Sequence, residues 1–493
     1  MKVSSSITAY SIACIALGLL LPSAQSRKVG HHKNVIMMVS DGFGVASETM
    51  AREYVQQVNK LPVDWMSPLD KIQVGASRTK SANTFITDSA PGATAFSCAK
   101  KSYNGAIGVS NDEKPCGTIL EAAKLSGMLT GIVVLSSVTD ATPAAFASHV
   151  VSRNMENLIA QQLVGNRTLG RVVDILVGGG KCRFLPKSNP DSCRNDDLDL
   201  WNNAKQYGWN KLDGNDGFKD MGKTELPILN LFLDIPYELD RDPSKQPPLS
   251  EMAKAALDKL AQEAADSDTG FFMMIEGSFI DNCGHSNDPA CQLSEVLEYW
   301  RTIEVVRNFV DSNQDTVMIS TSDHETGGLS LGRDKIYKWY PTVLQKVKRT
   351  SSAICSDLKS ATNPSVRSDL VTTTVLPNWL GIPDYTAAER DEIVNADSSN
   401  CVKRVSKIVS KRALLGWTTG GHTGVDVNLY AYGRGSSQLY GNHENTDIGD
   451  FMAKYLGVDL DHVTRIISNE TTHQAGFAFT HPENSLEWMA PVD

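Results

Sequence analysis

The sequence predicts an α/β fold with an open, mostly parallel central sheet, on three observations. First, short continuous apolar runs recur at residues 34–40, 131–136, 172–177, 271–275 and 317–321, each running into a polar or glycine-rich turn. Runs without alternation are strands buried on both faces, as in a parallel sheet covered by helices. Second, segments of helical character lie between them, and strands alternating with helices build such sheets. Third, 493 residues with 41% hydrophobic composition can bury a large core, as one domain with insertions or as two.

In chain order, residues 34–40 form the first buried strand and turn at Asp41-Gly-Phe-Gly44. At Thr87-Asp-Ser-Ala-Pro-Gly-Ala-Thr-Ala95 a capping-type residue, Pro91 in the first turn and the helix-compatible run 93–101 mark a helix start. Residues 131–136 lead into Thr139-Asp-Ala-Thr142, and 172–177 form a strand capped by Gly178-Gly-Gly180. Residues 185–225, rich in Asn, Asp, Gly and Lys, read as surface loop and short helices. Met252, Ala256, Leu257, Leu260 and Ala264 fall at helical spacing. The strand at 271–275 then leads to Glu276-Gly277, and that at 317–321 to Asp323-His324. Residues 428–432 supply a late strand. The stretch 336–415 breaks the alternation and reads as an inserted, cap-like region. There is no internal repeat and no low-complexity tract.

The first 26 residues read as a signal peptide: Lys2, an apolar stretch at 7–21, and Ala24-Gln25-Ser26 as a small-x-small cleavage site. The apolar stretch is short for a bilayer span, and an uncleaved signal anchor is the alternative. Its removal takes away one lysine and no acid, moving the net charge from −10 to −11. That balance argues against nucleic acid or an anionic membrane as partner. It also removes Cys14, leaving eight cysteines, an even number that in an exported chain indicates disulfides, with sequential pairing the simplest arrangement. Asn166-Arg-Thr168 and Asn469-Glu-Thr471 are N-glycosylation sequons. The stretch 487–493 has no apolar tail, so no lipid-anchor signal is expected there.

The helix start at 88–89 places the Ser89 hydroxyl where free backbone N–H groups and the helix dipole favour an anion. An isolated Asp-Ser-Ala would be only a helix cap; the acids and histidines elsewhere change that reading. Asp41, Glu276 and Asp323 each follow a buried strand, and ligands of open parallel sheets bind at the carboxyl ends of strands. Acids gathered there repel one another unless cations neutralise them. Asp281 and His285, four apart, can grip one ion from a helical turn or a tight loop. Asp323 and His324 are adjacent at a strand end, and His422 sits in Thr418-Thr-Gly-Gly-His-Thr-Gly424, where glycines allow close approach. Mixed histidine and carboxylate ligands suit zinc, whereas Asp41, Thr142 and Glu276 offer an all-oxygen set that suits magnesium. These residues together point to a multi-metal hydrolase with a serine at a helix N-terminus.

The chain resembles the alkaline phosphatase family over nearly its whole length after residue 26. The matching motifs are Asp41-Gly, residues 87–95, Asp140-Ala-Thr-Pro-Ala-Ala145 with 149–153, Glu276-Gly through His285, Asp323-His324 and Gly421-His-Thr-Gly424. The resemblance implies a three-layer α/β/α sandwich, a single catalytic domain at 27–493, and a crown-like region at about 336–415. It makes Ser89 the nucleophile of a phosphomonoesterase working at alkaline pH, with two zinc ions and one magnesium ion. Asp281, His285 and His422 would hold one zinc; Asp41, Asp323 and His324 the other; Asp41, Thr142 and Glu276 the magnesium, supported by Asp140. Arg153 would grip two phosphate oxygens. Asn282, where relatives carry lysine or histidine, would lie near the phosphate. The resemblance further implies small phosphomonoester substrates of broad range, a homodimer, and a secreted or vacuole-like lumenal location.

Four rivals stand against this reading. A sulfatase-like hydrolase would need Cys/Ser-x-Pro-x-Arg, and Ser89-Ala-Pro-Gly-Ala93 lacks the arginine. An acyl hydrolase would need a Gly-x-Ser-x-Gly elbow. A metal-binding glycoprotein without turnover would not need every chemical position filled, and a phosphodiesterase on the same scaffold differs only in recognising a second ester group.

Overall fold

The apolar runs form the middle of a ten-stranded sheet among the described residues of the computed structural model, which are 33–265 and 269–481. The expected signal segment and the C-terminal stretch 487–493 lie outside the described residues. In chain order the strands are β1 (Asn34–Val39), β2 (Gln73–Arg78), β3 (Leu129–Ser137), β4 (Ile175–Gly179), β5 (Asn210–Asp213), β6 (Ile228–Leu231), β7 (Phe271–Glu276) and β8 (Thr316–Thr321). Four short strands follow: β9 (Glu325–Thr326), β10 (Leu329–Leu331), β11 (Leu415–Trp417) and β12 (His422–Thr423). Then come β13 (Val427–Gly433) and β14 (Gly441–Glu444). The main sheet runs β14-β2-β13-β8-β1-β7-β3-β4-β6-β5 and is parallel except at β13, which is antiparallel to both β8 and β2.

Side chains of each central strand alternate between two cores. Ile36 and Met38 enter one apolar cluster and Val35, Met37 and Val39 the other; Met273 and Met274 divide the same way on β7. Successive side chains of a strand point to opposite faces, so an unbroken apolar run means both faces are covered by helices. That is the expected three-layer arrangement.

The structure corrects several boundaries. β4 starts at Ile175 rather than at 172, and Gly178 and Gly179 continue it because they still pair with Leu231 and Ser137. The region 185–225 contributes the sheet-edge strand β5, whose sequence Asn-Lys-Leu-Asp carries no apolar run. β2, Gln-Val-Gly-Ala-Ser-Arg, is also largely unburied and has no sequence signal of its own.

Residues 336–415 are mainly helical, including Ser351–Ser360, Ala387–Val394 and Cys401–Ala413. The antiparallel pair β10–β11 closes the ends of this insertion against each other. The four disulfides follow the sequential pairing: Cys98–Cys116, Cys182–Cys193, Cys283–Cys291 and Cys355–Cys401.

One buried acid makes stability depend on pH. Glu48, 2% exposed, accepts hydrogen bonds from the Ser67 hydroxyl and from Trp300 Nε1. Burial pushes its carboxyl up to about 7 against the pull of those bonds. The folded chain therefore holds this proton more tightly than the unfolded chain, so the contribution is full below about pH 4.5 and is lost as pH rises through about 7. The loss amounts to about 3 kcal/mol. In Glu48→Gln the amide keeps both contacts, accepting from Trp300 and donating to Ser67. Its Tm should match the parent near pH 4.5 and exceed it by a few degrees at pH 9, read by calorimetry; an equal difference at both pH values would contradict the assignment.

Candidate active site

Strand register brings the acids together. Val39 of β1 is level with Glu276 of β7 on one side and Thr321 of β8 on the other. Asp41 and Asp323, each two residues beyond a level strand end, therefore emerge side by side, with Glu276 on the adjoining strand. All three are buried. After Glu276 the chain forms helix Phe279–His285, which resolves the Asp281–His285 spacing as one helical turn, and Cys283 between them is tied to Cys291 of the next helix. His422 arrives differently: β12 pairs antiparallel with β9, setting His422 opposite Thr326.

Two groups of potential ligands result, Asp281/His285/His422 and Asp41/Asp323/His324. In the first, His285 Nε2 lies 3.2 Å from Asp281 Oδ2 and 3.2 Å from His422 Nε2, which is 3.6 Å from Asp281 Oδ1. In the second, His324 Nε2 lies 3.2 Å from Asp323 Oδ2 and 3.5 Å from Asp41 Oδ1. The His324 and His422 rings stack with centroids 3.5 Å apart, so the groups adjoin.

The hydrogen bonds behind the rings fix which nitrogen faces the carboxylates. His285 Nδ1 donates to the Gly420 carbonyl and His422 Nδ1 to the Thr87 carbonyl, both at 2.8 Å. The single Thr326 hydroxyl proton goes to Asp281 Oδ1, so Thr326 can only accept from His324 Nδ1, 3.2 Å away. In all three imidazoles Nδ1 is thus the donor behind the ring and Nε2 is turned toward carboxylate oxygens, and the Asp281 carboxylate beside His285 raises that ring's pKa above its ordinary value. Asp41 Oδ1 and Asp323 Oδ2 are buried with no hydrogen-bond donor among the described residues. Ring nitrogens and carboxylate oxygens that converge in this way can hold cations, and histidine with carboxylate is a donor set suited to zinc.

The acids register the same frustration. Burial first, then repulsion from Asp323, Asp281 and Glu276, raises the Asp41 carboxyl well above its ordinary value. Burial and Asp281 push Asp323 up to about 6, and burial and Asp140 push Glu276 up to about 8. Thr142 reaches Asp41 Oδ2 at 3.4 Å and also bonds Glu276, so this third, oxygen-rich group is assembled as well.

Ser89 opens helix Ser89–Cys98 as its first residue, while Asp88 is the cap, its side chain accepting from the Ala90 N–H at 3.2 Å. Ser89 is 3% exposed, and its Oγ lies 3.2 Å from His324 Nε2. Close approach of this helix depends on Gly92, where a Cβ would sit 2.9 Å from the Asp323 Cβ. Gly42 adopts φ +73°, and a Cβ there would meet the Asp281 backbone at 2.5 Å. Arg153 is held by Asp140 at 2.9 Å and Asp88 at 3.5 Å. Asp140 also caps helix Ala141–Ala147. Asn282 is exposed, one position past Asp281, and its side chain makes no hydrogen bond among the described residues.

Every residue singled out in the sequence thus lies in or beside one cluster. Sequence reasoning missed the positioning groups: the Thr87 and Gly420 carbonyls, Thr326, and the clamp of Asp88 on Arg153. Backbone carbonyls have no sequence signal; Asp88 had one, but as a cap.

A sequence model of the alkaline phosphatase family matches residues 32–458. The chain is 43% identical over 528 residues to the repressible alkaline phosphatase of Saccharomyces cerevisiae, an alignment covering 98% of this chain and 93% of that one. It is 48% identical over 454 residues to an alkaline phosphatase of Schizosaccharomyces pombe, covering 90% and 85% of the two chains. Among solved structures, a cold-active alkaline phosphatase from Shewanella sp. is similar with a TM-score of 0.74 and 30% identity, over 86% of this chain and 99% of that chain.

Proposed function

Because the chain belongs to the alkaline phosphatase family and is a phosphatase, we propose that it hydrolyses phosphate monoesters at alkaline pH through a phosphoserine at Ser89. The observation that carries this reading is the buried Ser89 hydroxyl 3.2 Å from His324 Nε2, where two adjoining groups of imidazoles and carboxylates meet and the rings are held from behind.

Asp281, His285 and His422 would hold one zinc, Asp41, Asp323 and His324 a second, and Asp41, Thr142 and Glu276 a magnesium with Asp140 behind it. When bound, these ions favour the Ser89 alkoxide and neutralise charge on the phosphoryl oxygens. Ser89 Oγ attacks phosphorus as the bond to the leaving alcohol breaks; water then cleaves the phosphoserine, releasing inorganic phosphate and restoring the hydroxyl. The free N–H groups of the Ser89 helix favour the anion. Arg153, aligned by Asp88 and Asp140, pairs with two phosphate oxygens, and Asn282 contacts the phosphate from the Asp281 helix.

The test is acid quenching during turnover of a 32P-labelled monoester. Label should appear on the peptide containing Ser89; label elsewhere, or none under burst conditions, rejects the intermediate. A diaryl phosphate should turn over far more slowly than the monoester. A second expectation concerns Arg153→Ala. Loss of charge-assisted bonds of about 1.5–3 kcal/mol should weaken inhibition by inorganic phosphate roughly 10- to 100-fold, measured as the product-inhibition constant.

The same reading makes 27–493 one catalytic domain, with the helical region at about 336–415 as a crown over a homodimer interface. Disulfides, the signal segment and the exposed sequon residues Asn166 and Asn469 support a glycosylated protein of the secretory pathway or a vacuole-like lumen.

A further inference from the structure

The last helix of the insertion, Cys401–Ala413, has a strongly basic outer face. Val405, Ile408 and Val409 are buried, whereas Lys403, Lys407 and Lys411, successively four residues apart, are exposed along one side. With Arg333 they line a groove of about 370 Å³ whose wall includes Asn287 and Trp417, and no acidic side chain lines it. Lys407 is paired with Glu392 at 2.6 Å and Arg333 with Asp334 at 2.8 Å. Lys403 and Lys411 have no acidic partner among the described residues. In a chain of net charge −10, four cations in one groove run against the overall balance.

The groove adjoins the loop that orients the histidines. Asn287, two residues past His285, donates to the Thr419 carbonyl at 2.8 Å. The Gly420 carbonyl holds His285 Nδ1, and a Cβ placed on Gly420 would lie 3.8 Å from Lys403 Nζ. An anion seated against Lys403 therefore sits against the backbone loop that holds His285 Nδ1.

We propose that this groove is a subsite for a second phosphate carried on the leaving group, so that multiply phosphorylated monoesters are preferred substrates. The inference rests on the phosphomonoesterase reading of Ser89 and names a substrate class for that site. Ammonium groups on flexible stems suit it: they act as mobile point charges that follow phosphates at differing distances, where a guanidinium would demand one planar geometry.

The test compares the parent protein with Lys403→Ala/Lys411→Ala at low ionic strength on 4-nitrophenyl phosphate, fructose 6-phosphate and fructose 1,6-bisphosphate. For the bisphosphate KM should rise roughly tenfold with kcat unchanged, the combined effect of two exposed charges. For the two monophosphates KM should stay within about twofold, which also shows that the variant is folded. Adding about 0.5 M NaCl should erase the parent's preference for the bisphosphate. An equal KM rise on all three substrates, or none on the bisphosphate, overturns the subsite. Absence of phosphate release from any substrate by the parent protein would overturn the phosphomonoesterase reading instead.

Discussion

Ser89→Ala should lower kcat for a simple aryl phosphate by roughly 10³-fold or more, because the substitution deletes the only protein atom proposed to bond phosphorus. The fold should be nearly untouched. Asp88, rather than Ser89, caps the helix, accepting from the Ala90 N–H. The Ser89 side chain has the His324 ring as its hydrogen-bond partner, and neither the histidine carbonyl partners nor the carboxylates depend on it. The variant should therefore retain its metal content and lie within about 1 kcal/mol of the parent in stability, as suits loss of one hydroxyl hydrogen bond. Turnover comparable to the parent would place the nucleophile elsewhere or have water attack directly. A collapse in Tm would mean that the serine is part of the scaffold.

Removing divalent cations should have the second large effect, on both activity and stability. Three imidazoles turn Nε2 inward, and Asp41 Oδ1 and Asp323 Oδ2 have no hydrogen-bond donor among the described residues. Without cations the buried acids repel one another. Cations at 1,000 times their dissociation constant would add about 4 kcal/mol to stability. Exhaustive chelation, verified by elemental analysis, should abolish turnover and lower Tm by several degrees, and zinc plus magnesium should restore both. The Ser89→Ala variant separates the two effects: cations should restore its Tm but not its activity. Full activity in a demonstrably metal-free sample would reject the metal-dependent mechanism.

Much of the fold was legible because parallel strands buried on both faces leave unbroken apolar runs. The central strands β1, β3, β7 and β8 all appear that way, and Met37 and Met38 entering different cores explains why. β2 and β5 were illegible because exposed strands in polar stretches need no apolar run. The acids at Asp41, Glu276 and Asp323 were legible as residues at or just past strand ends, and the Asp281–His285 spacing as a local motif. The helix carrying that motif was one of two open alternatives until the folded chain chose it.

By itself the sequence determined the chemistry on offer: which acids end buried strands, which serine opens a helix, and which histidines lie near glycines or carboxylates. Such properties are local, governed by side-chain type and by a few bonded neighbours. Tertiary structure alone decided that His422 meets His324, through the β9–β12 and β10–β11 pairings that close an insertion of helices. It alone fixed which nitrogen of each ring faces the carboxylates, through the carbonyls of Thr87 and Gly420 and the hydroxyl of Thr326. Those partners are mostly backbone groups that every residue possesses, so only the folded path of the chain can say which of them faces an imidazole.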